Sequence, residues 1–416
     1  MDITLLILLQ YTVYFISLYF SVFWLLVYLE GEEKQPTNKR RTYPQVTIAI
    51  PAYNEEKTIA KTIESALNIN YPKNKLEILV INDGSTDKTR NIANNYTHHE
   101  HVHVLNQKNK GKGAALNRAV RKAKGEYFVC LDADSEVHPE TLKELIKHFS
   151  TEEVAVVIPV MKIKNNKKLN LLEKLQWYEY LVNVFFKKIM GQLDAVHVAP
   201  GPFSVYNKSL IQKNGYFDET NITEDLEMTV RLQQNNYRII QSLEGEVYTN
   251  AMPNMKRYLA QRNRWFKGGV LTAIQYRHML FNKKWGDFGM MQLPILILSG
   301  VISLLLVGTL LYELLKPILK NALQLGLVRF DILTYLQTIT IDIAFVDLSA
   351  ASIVLLAVMF TLSITILRLA TYYAKERTLT YNPLIVSTYL IFYFFLLAAT
   401  WAVVTKDLLL GKVQKW

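Results

Sequence analysis

Three short stretches hold side chains whose chemistry depends on their spacing. "DADS" sets Asp132 and Asp134 one residue apart. Two such carboxylates can jointly hold a hard divalent cation and a sugar hydroxyl if the chain turns there, because Mg²⁺ takes one or two protein carboxylates plus phosphate oxygens. Taken alone, such a pair is more often a solvated turn. "TED" sets Glu224 and Asp225 behind Thr223 at the start of a helical run. The helix dipole favours carboxylates there and Thr223 suits the cap, so this stretch also has a purely structural reading. "QRNRW" puts Gln261, Arg264 and Trp265 at spacings of three and four. On a helix they share one face, an amide beside a guanidinium and an indole, while Arg262 and Asn263 point elsewhere. An arginine next to a tryptophan close to an apolar span can equally be a membrane-interface anchor.

The elements that must carry these residues alternate. "QVTIAIP", "LEILVIND", "HVHVLN" and "EYFVCLDADS" read as strands, being short and β-branched-rich. Between them lie helices: "EEKTIAKTIESALNI" with Ile59, Ile63, Ala66 and Leu67 on one face, "STDKTRNIANNY" opened by Ser85 and Thr86, and "GAALNRAVRKAKG" closed by Gly125. A fourth, "HPETLKELIKHFS", starts with a proline. Four strand–helix alternations imply an α/β, Rossmann-like domain with a mostly parallel sheet covered on both faces. In such sheets ligands bind beyond the carboxyl ends of the strands. Those ends are "PAYNEE", "INDGSTD", "NQKNKGKG" and "LDADS": three acidic, one basic and glycine-containing. Acids converging there repel one another unless a cation or a hydrogen-bonding ligand fills the cleft.

Of the 416 residues half are apolar, but unevenly spread. Residues 3–29, 288–312, 348–367 and 378–405 carry no charge, and each reaches the length of about 20 residues that a bilayer-spanning helix needs. "MDITLL" lacks a basic n-region, so the first span is not a cleaved signal peptide. Lys34, Lys39, Arg40 and Arg41 follow it, placing the N-terminus outside and the next segment in the cytoplasm. The expected organisation is a transmembrane helix over residues 1–30, a cytoplasmic domain over 31–287, and about three transmembrane helices within 288–416. Helices near 169–190 and 256–270 suit the membrane surface; the first, aromatic and ending in Lys187 and Lys188, suits a domain core equally well. The net charge of +11 comes with no basic recognition helix or RNA-binding signature, which argues against nucleic acid; the basic residues flanking spans face anionic lipid instead. The single Cys130 excludes an intramolecular disulfide and reads as a core residue.

In order, "PAYNEE", "INDGSTD", "GKGAALN", "DADS", "TED" and "QRNRW", followed by membrane spans, resemble the processive family 2 glycosyltransferases of GT-A fold. Cellulose, poly-N-acetylglucosamine, chitin-oligosaccharide and hyaluronan synthases belong to that group. The resemblance implies that Tyr53 and Glu55 meet the uracil, Asp83 the uridine, and Lys112 the nucleotide. It implies that Asp132 and Asp134 contact the ribose and coordinate Mg²⁺ or Mn²⁺ on the diphosphate. Asp225, with Glu224 beside it, would be the general base, and Gln261, Arg264 and Trp265 would line the acceptor and diphosphate side. The chemistry is consistent: a metal ion and a guanidinium stabilise a leaving diphosphate, and a placed carboxylate deprotonating the attacking hydroxyl contributes about 10²–10⁴-fold. One base with in-line attack inverts the anomeric centre. An indole face can stack on a sugar.

"TED" resembles the cellulose and poly-N-acetylglucosamine branches, and the small size with four spans resembles the latter more, which points to UDP-N-acetylglucosamine as donor, an oligosaccharide or polysaccharide acceptor, and export of a β-linked polymer. A small accessory membrane subunit is compatible with this. Two other readings use the same residues: a non-processive enzyme glycosylating a membrane lipid, and a transport or scaffold protein with a non-catalytic nucleotide-sensing domain. Topology is strained in one respect. Four spans return the basic tail "KDLLLGKVQKW" and the loop "KPILKNALQLGLVR" to the outside, against the positive-inside tendency, and a fifth span near "ILTYLQTITI" is opposed by Asp331, Asp342 and Asp347.

Overall fold

The computed structural model describes residues 3–31, 43–164, 168–327, 350–376 and 382–412. Helix α1 (Ile3–Glu30) precedes the sheet domain. That domain runs β1 (Val46–Ala52), α2 (Ile59–Leu67), β2 (Leu76–Asp83), α3 (Thr89–Asn94), β3 (Val102–Gln107), α4 (Lys112–Lys122) and β4 (Tyr127–Cys130). It continues with β5 (Glu136–Val137), α5 (Thr141–Ile146), β6 (Val154–Ile163), α6 (Leu171–Gln192), β7 (Ser204–Asn207), α7 (Lys208–Lys213), α8 (Glu224–Gln234), β8 (Arg238–Thr249) and α9 (Met255–Gln275). Three long helices follow: α10 (Leu293–Leu327), α11 (Ala350–Tyr373) and α12 (Pro383–Leu409).

The strands form one sheet in the order β3-β2-β1-β4-β7-β6-β8-β5. Strands β1 to β4 pair in parallel, as their alternation with helices requires. Parallel strands are buried on both faces, and β1 and β2 show it residue by residue. Val46, Ile48, Ile50, Ile78 and Val80 join one core with Ile59 and Ile63 of α2. Ala49, Leu79 and Ile81 join a second core with α4, α6 and α8. This second core runs on into Trp24 of α1, Leu367 of α11 and Tyr389 of α12, so the sheet domain and the apolar helices share one hydrophobic interior. Cys130 is buried in it, as expected. Beyond β4 the alternation breaks. Strand β7 returns antiparallel between β4 and β6, and β5 pairs antiparallel with β8 at the far edge.

Among the described residues, Phe288–Thr309, Ile353–Tyr373 and Pro383–Leu409 are long and apolar enough to cross a membrane; α1 is 28 residues long and uncharged up to Glu30. Helix α10 does not stop at residue 312: it continues through Lys316 and Lys320, so "KPILKNALQLGLVR" is largely helix rather than loop. Residues 331–347, with the segment weighed as a fifth span, lie outside the described residues. Helix α6 packs between the sheet and α11, with the Lys188 ammonium 5.5 Å from the Tyr373 ring centre, and so has both a core face and an apolar-helix face. Helix α9 packs along α10 and α12. Its Asn263 donates to Asp407 Oδ2 at 2.8 Å, and its Lys267 lies 3.3 Å from that oxygen and donates to the Lys412 carbonyl at 2.9 Å. The start of the basic tail is therefore held against α9.

Several caps differ from expectation. Helix α3 begins at Thr89, where Asp87 Oδ1 accepts from the Thr89 amide; Ser85 and Thr86 instead bond the β1–α2 loop. Thr223 occupies the N-cap position of α8, but its hydroxyl makes no cap bond and lies against Gly268. Helix α4 ends at Lys122, and Gly125 is needed for another reason: a Cβ there would strike the backbone of Thr47.

Candidate active site

The ends of β1, β2 and β4 and the starts of α4 and α8 meet around one lysine. Lys112 opens α4, and its ammonium lies 2.7 Å from Asp132 Oδ1 and 3.1 Å from Glu224 Oε1. Burial works against that charge, yet Asp132, Glu224 and Asp225 together hold it well above the usual lysine range. Residues 20 and 112 positions apart in sequence are thus joined by one cation. Burial pushes the Glu224 carboxyl up, Lys112 opposing and neighbouring Asp225 adding to the push. Asp225 is half-buried, and its Oδ1 accepts from the Leu226 amide at 2.8 Å, leaving the carboxylate at the rim of the cluster.

On the other side of Lys112, burial and the charge of Asp132 push the Asp134 carboxyl up. Burial likewise raises Glu55, with a Thr58 hydrogen bond opposing and Asp134, Asp132 and Asp87 adding. Mutual repulsion among Glu55, Asp132 and Asp134 is the signature expected of acids gathered at strand ends. Asp132 and Asp134 supply hard oxygen ligands, and burial together with the charge of Asp132 disfavours the Asp134 carboxylate, which fits a divalent cation whose remaining ligands are phosphate oxygens and water. No cluster of three or more His, Cys, Asp or Glu among the described residues is placed to enclose a metal by protein alone.

Asp83 does different work from its neighbours. Its carboxylate, 4% exposed, accepts from Gln107 Nε2 at 2.7 Å and from the amides of Lys110 and Gly111 at 3.0 and 2.9 Å. It therefore holds the β3–α4 loop whose next residue is Lys112. Tyr53 stands 46% exposed on the β1–α2 loop, which Asn54 ties to the β2–α3 loop through its side chain and the Thr86 amide at 2.8 Å. Asn54 carries the positive φ of 56° that this turn needs.

Helix α9 reaches the cluster because Gly268 lets it sit directly on Thr223, one residue before Glu224. The charge of Arg264 on the same helix works against the rise that burial imposes on Glu224. Gln261, Arg264 and Trp265 are all partly exposed, while Arg262, Asn263 and Lys267 are buried, so the expected division of faces holds. One part of it needs correction. Arg262 does not leave its neighbours: it donates to Gln261 Oε1 at 2.7 Å and lies 4.2 Å from the Trp265 ring centre.

The sequence also missed Gly201. It lies in "APGPF", a stretch with no chemistry-bearing side chain to single it out, and a Cβ there would collide with the Asp132 carboxylate and the Lys112 ammonium. The loop backbone thus closes one wall of the site, tied to α8 by the Thr229 hydroxyl accepting from the Ala199 amide at 2.9 Å.

A mostly parallel sheet with acids and a lysine gathered at its strand ends is the architecture of a GT-A domain, in which ligands bind beyond the carboxyl ends of the strands. Residues 47–215 match the profile of glycosyl transferase family 2. It is similar to the poly-beta-1,6-N-acetyl-D-glucosamine synthase of Staphylococcus epidermidis, 28% identical over 61% of this chain and 64% of that protein. It is also similar to the synthase of that name from Staphylococcus aureus, 30% identical over 61% of this chain and 63% of that protein. In both cases the aligned stretch spans less than two thirds of the relative's length. Among solved structures, a mannosyltransferase from Pyrobaculum calidifontis, in complex with GDP-Man and Mn²⁺, shares the fold at a TM-score of 0.66, with 17% identity and 99% of each chain covered.

Proposed function

We propose that this protein is a membrane-embedded inverting glycosyltransferase that transfers N-acetylglucosamine from UDP-N-acetylglucosamine to a growing β-1,6-linked polymer. One observation carries the reading: Asp132 and Glu224, from two of the motifs, meet on Lys112 beside Asp225 in a chain that matches family 2 over residues 47–215. The names of the Staphylococcus relatives support the sugar and the linkage.

In this reading the uridine lies at the ends of β1 and β2, near Tyr53 and Glu55, with Asp83 fixing the loop that presents Lys112. Asp132 and Asp134 would hold Mg²⁺ or Mn²⁺, which as a Lewis acid spreads the negative charge of the departing diphosphate. Arg264 faces the same charge with its rigid donor fork. Asp225, more open than Glu224, takes the proton from the attacking hydroxyl. Glu224 stays behind it, holding Lys112 in register. In-line attack on the face of the sugar opposite the diphosphate inverts an α-linked donor to a β-linkage. Trp265 stacks on the acceptor sugar and Gln261 bonds to it. The sheet domain faces the cytoplasm, the polymer leaves along helices α10–α12 that pack on α9 and α6, and the chain sits in the plasma membrane.

The test is UDP release and product mass from the purified chain with UDP-N-acetylglucosamine. Asp225→Asn should retain UDP binding and lose about 10²–10⁴-fold in turnover. Unchanged turnover overturns the assignment, and a single-sugar glycolipid in place of a ladder overturns polymer synthesis.

A further inference from the structure

Arg262 stands between the two α9 residues assigned to the acceptor, and its side chain is 0% exposed. A guanidinium that far from water must have its charge answered, and apart from Nε, which is buried without a hydrogen-bond partner, its nitrogens find partners. Nη2 donates to Glu179 Oε2 of α6 at 2.7 Å, and Nη1 to Gln261 Oε1 at 2.7 Å. The planar group also lies 4.2 Å from the ring centre of Trp265 and 5.0 Å from that of Tyr258. An aromatic face attracts a cation at these distances, more so when water is excluded.

We propose that Arg262, anchored by Glu179, is the positioning residue of the acceptor subsite: it fixes the plane of the Trp265 indole and the orientation of the Gln261 amide. This rests on the reading of α9 as the acceptor wall. The amide part follows from valence. Arginine has no acceptor atom, so the Gln261 atom facing it is the carbonyl oxygen. With one carbonyl lone pair taken by Arg262, the NH₂ is the group turned to a ligand, so Gln261 offers a sugar oxygen a donor while its carbonyl keeps one further lone pair. The ion pair joins α6 to α9, so the geometry of the acceptor wall depends on how these two helices pack.

Three variants of the full chain in detergent test this, with UDP-N-acetylglucosamine as donor and a β-1,6-linked N-acetylglucosamine pentamer as acceptor probe. Arg262→Lys keeps the charge but loses the planar fork, and should raise the acceptor KM about tenfold while the donor KM stays within about twofold. Gln261→Glu keeps a partner for Arg262 but offers no NH, and should raise the acceptor KM with unchanged thermal stability. The exchange Glu179→Arg with Arg262→Glu should recover the stability lost in Glu179→Arg alone, yet leave the acceptor KM high, because a carboxylate cannot face the indole. Recovery of stability and acceptor KM together would make Arg262 a buried counter-ion and overturn the proposal, as would an unchanged acceptor KM in Arg262→Lys. Trp265→Ala is the control for the underlying reading: if it leaves the acceptor KM unchanged, α9 is not the acceptor wall at all.

Discussion

Replacing Lys112 with methionine removes one charge and strands two. At 3.1 Å and an effective dielectric near 20, the attraction between Lys112 and Glu224 is about 5 kcal/mol before desolvation. Breaking a buried pair from one side costs roughly 3–5 kcal/mol, because the remaining ion stays buried. Glu224 is 2% exposed and falls in that class, whereas Asp132, at 28%, adds at most about 1 kcal/mol. A net loss of about 4 kcal/mol lowers the unfolding midpoint of a domain this size by roughly 10 °C. The loss depends on pH. The Glu224 carboxyl is already raised by burial, and Lys112 is what restrains it. Without Lys112 its folded pKa climbs further above the unfolded value. A carboxyl raised on folding contributes stability that is fully present below the unfolded pKa and fades as pH rises through the folded one. Lys112→Met should therefore unfold close to wild type near pH 5 and far below it near pH 8. Thermal unfolding of the detergent-purified chain across that range measures this, with Lys112→Met/Glu224→Gln as the control that removes the excess slope. A midpoint independent of Lys112, or an excess slope that survives Glu224→Gln, refutes the reasoning.

Gly201→Ala places a methyl on the Asp132–Lys112 pair; it should cost about 1–3 kcal/mol as overpacking while UDP release falls far more than that implies, and wild-type UDP release would mean the loop yields. Asp134→Asn removes a carboxylate that burial and Asp132 already disfavour, so the chain should fold at least as stably, while calorimetry shows Mg²⁺- or Mn²⁺-dependent UDP affinity down by about 100-fold or more, the scale that loss of outer-shell groups alone can reach. Asp407→Ala leaves Lys267, 1% exposed, without its carboxylate; a loss of about 3 kcal/mol and faster proteolysis of the tail should follow, and an unchanged cleavage rate would contradict the docking of α12 on α9.

The first half of the sheet was legible because each strand there is followed by its own helix. Val46, Ile48 and Ile50 facing one core and Ala49 the other is what a parallel strand buried on both sides must show. The second half broke the rule, since β7 and β5 are short strands that enter antiparallel, where neighbours in the sheet are not neighbours in the chain. The acidic motifs were conspicuous only as an ordered set, because a single carboxylate at a strand end or helix start serves equally well as a solvated turn or a cap. Their common counter-charge was not, since spacing along the chain does not say that Lys112 lies between Asp132 and Glu224. Gly201 was hidden because only the space around a glycine, and not its identity, reveals what it must avoid. Arg262 is the instructive miss. Three residues advance an α-helix by about 300°, so positions 262 and 265 are only about 60° apart around the axis. A side chain as long as arginine's can cross that gap while its head still turns to Glu179. Sorting residues by face suits short side chains; for arginine and tryptophan the reach of the side chain decides the neighbours, and in α9 that reach links the buried face to the partly exposed one.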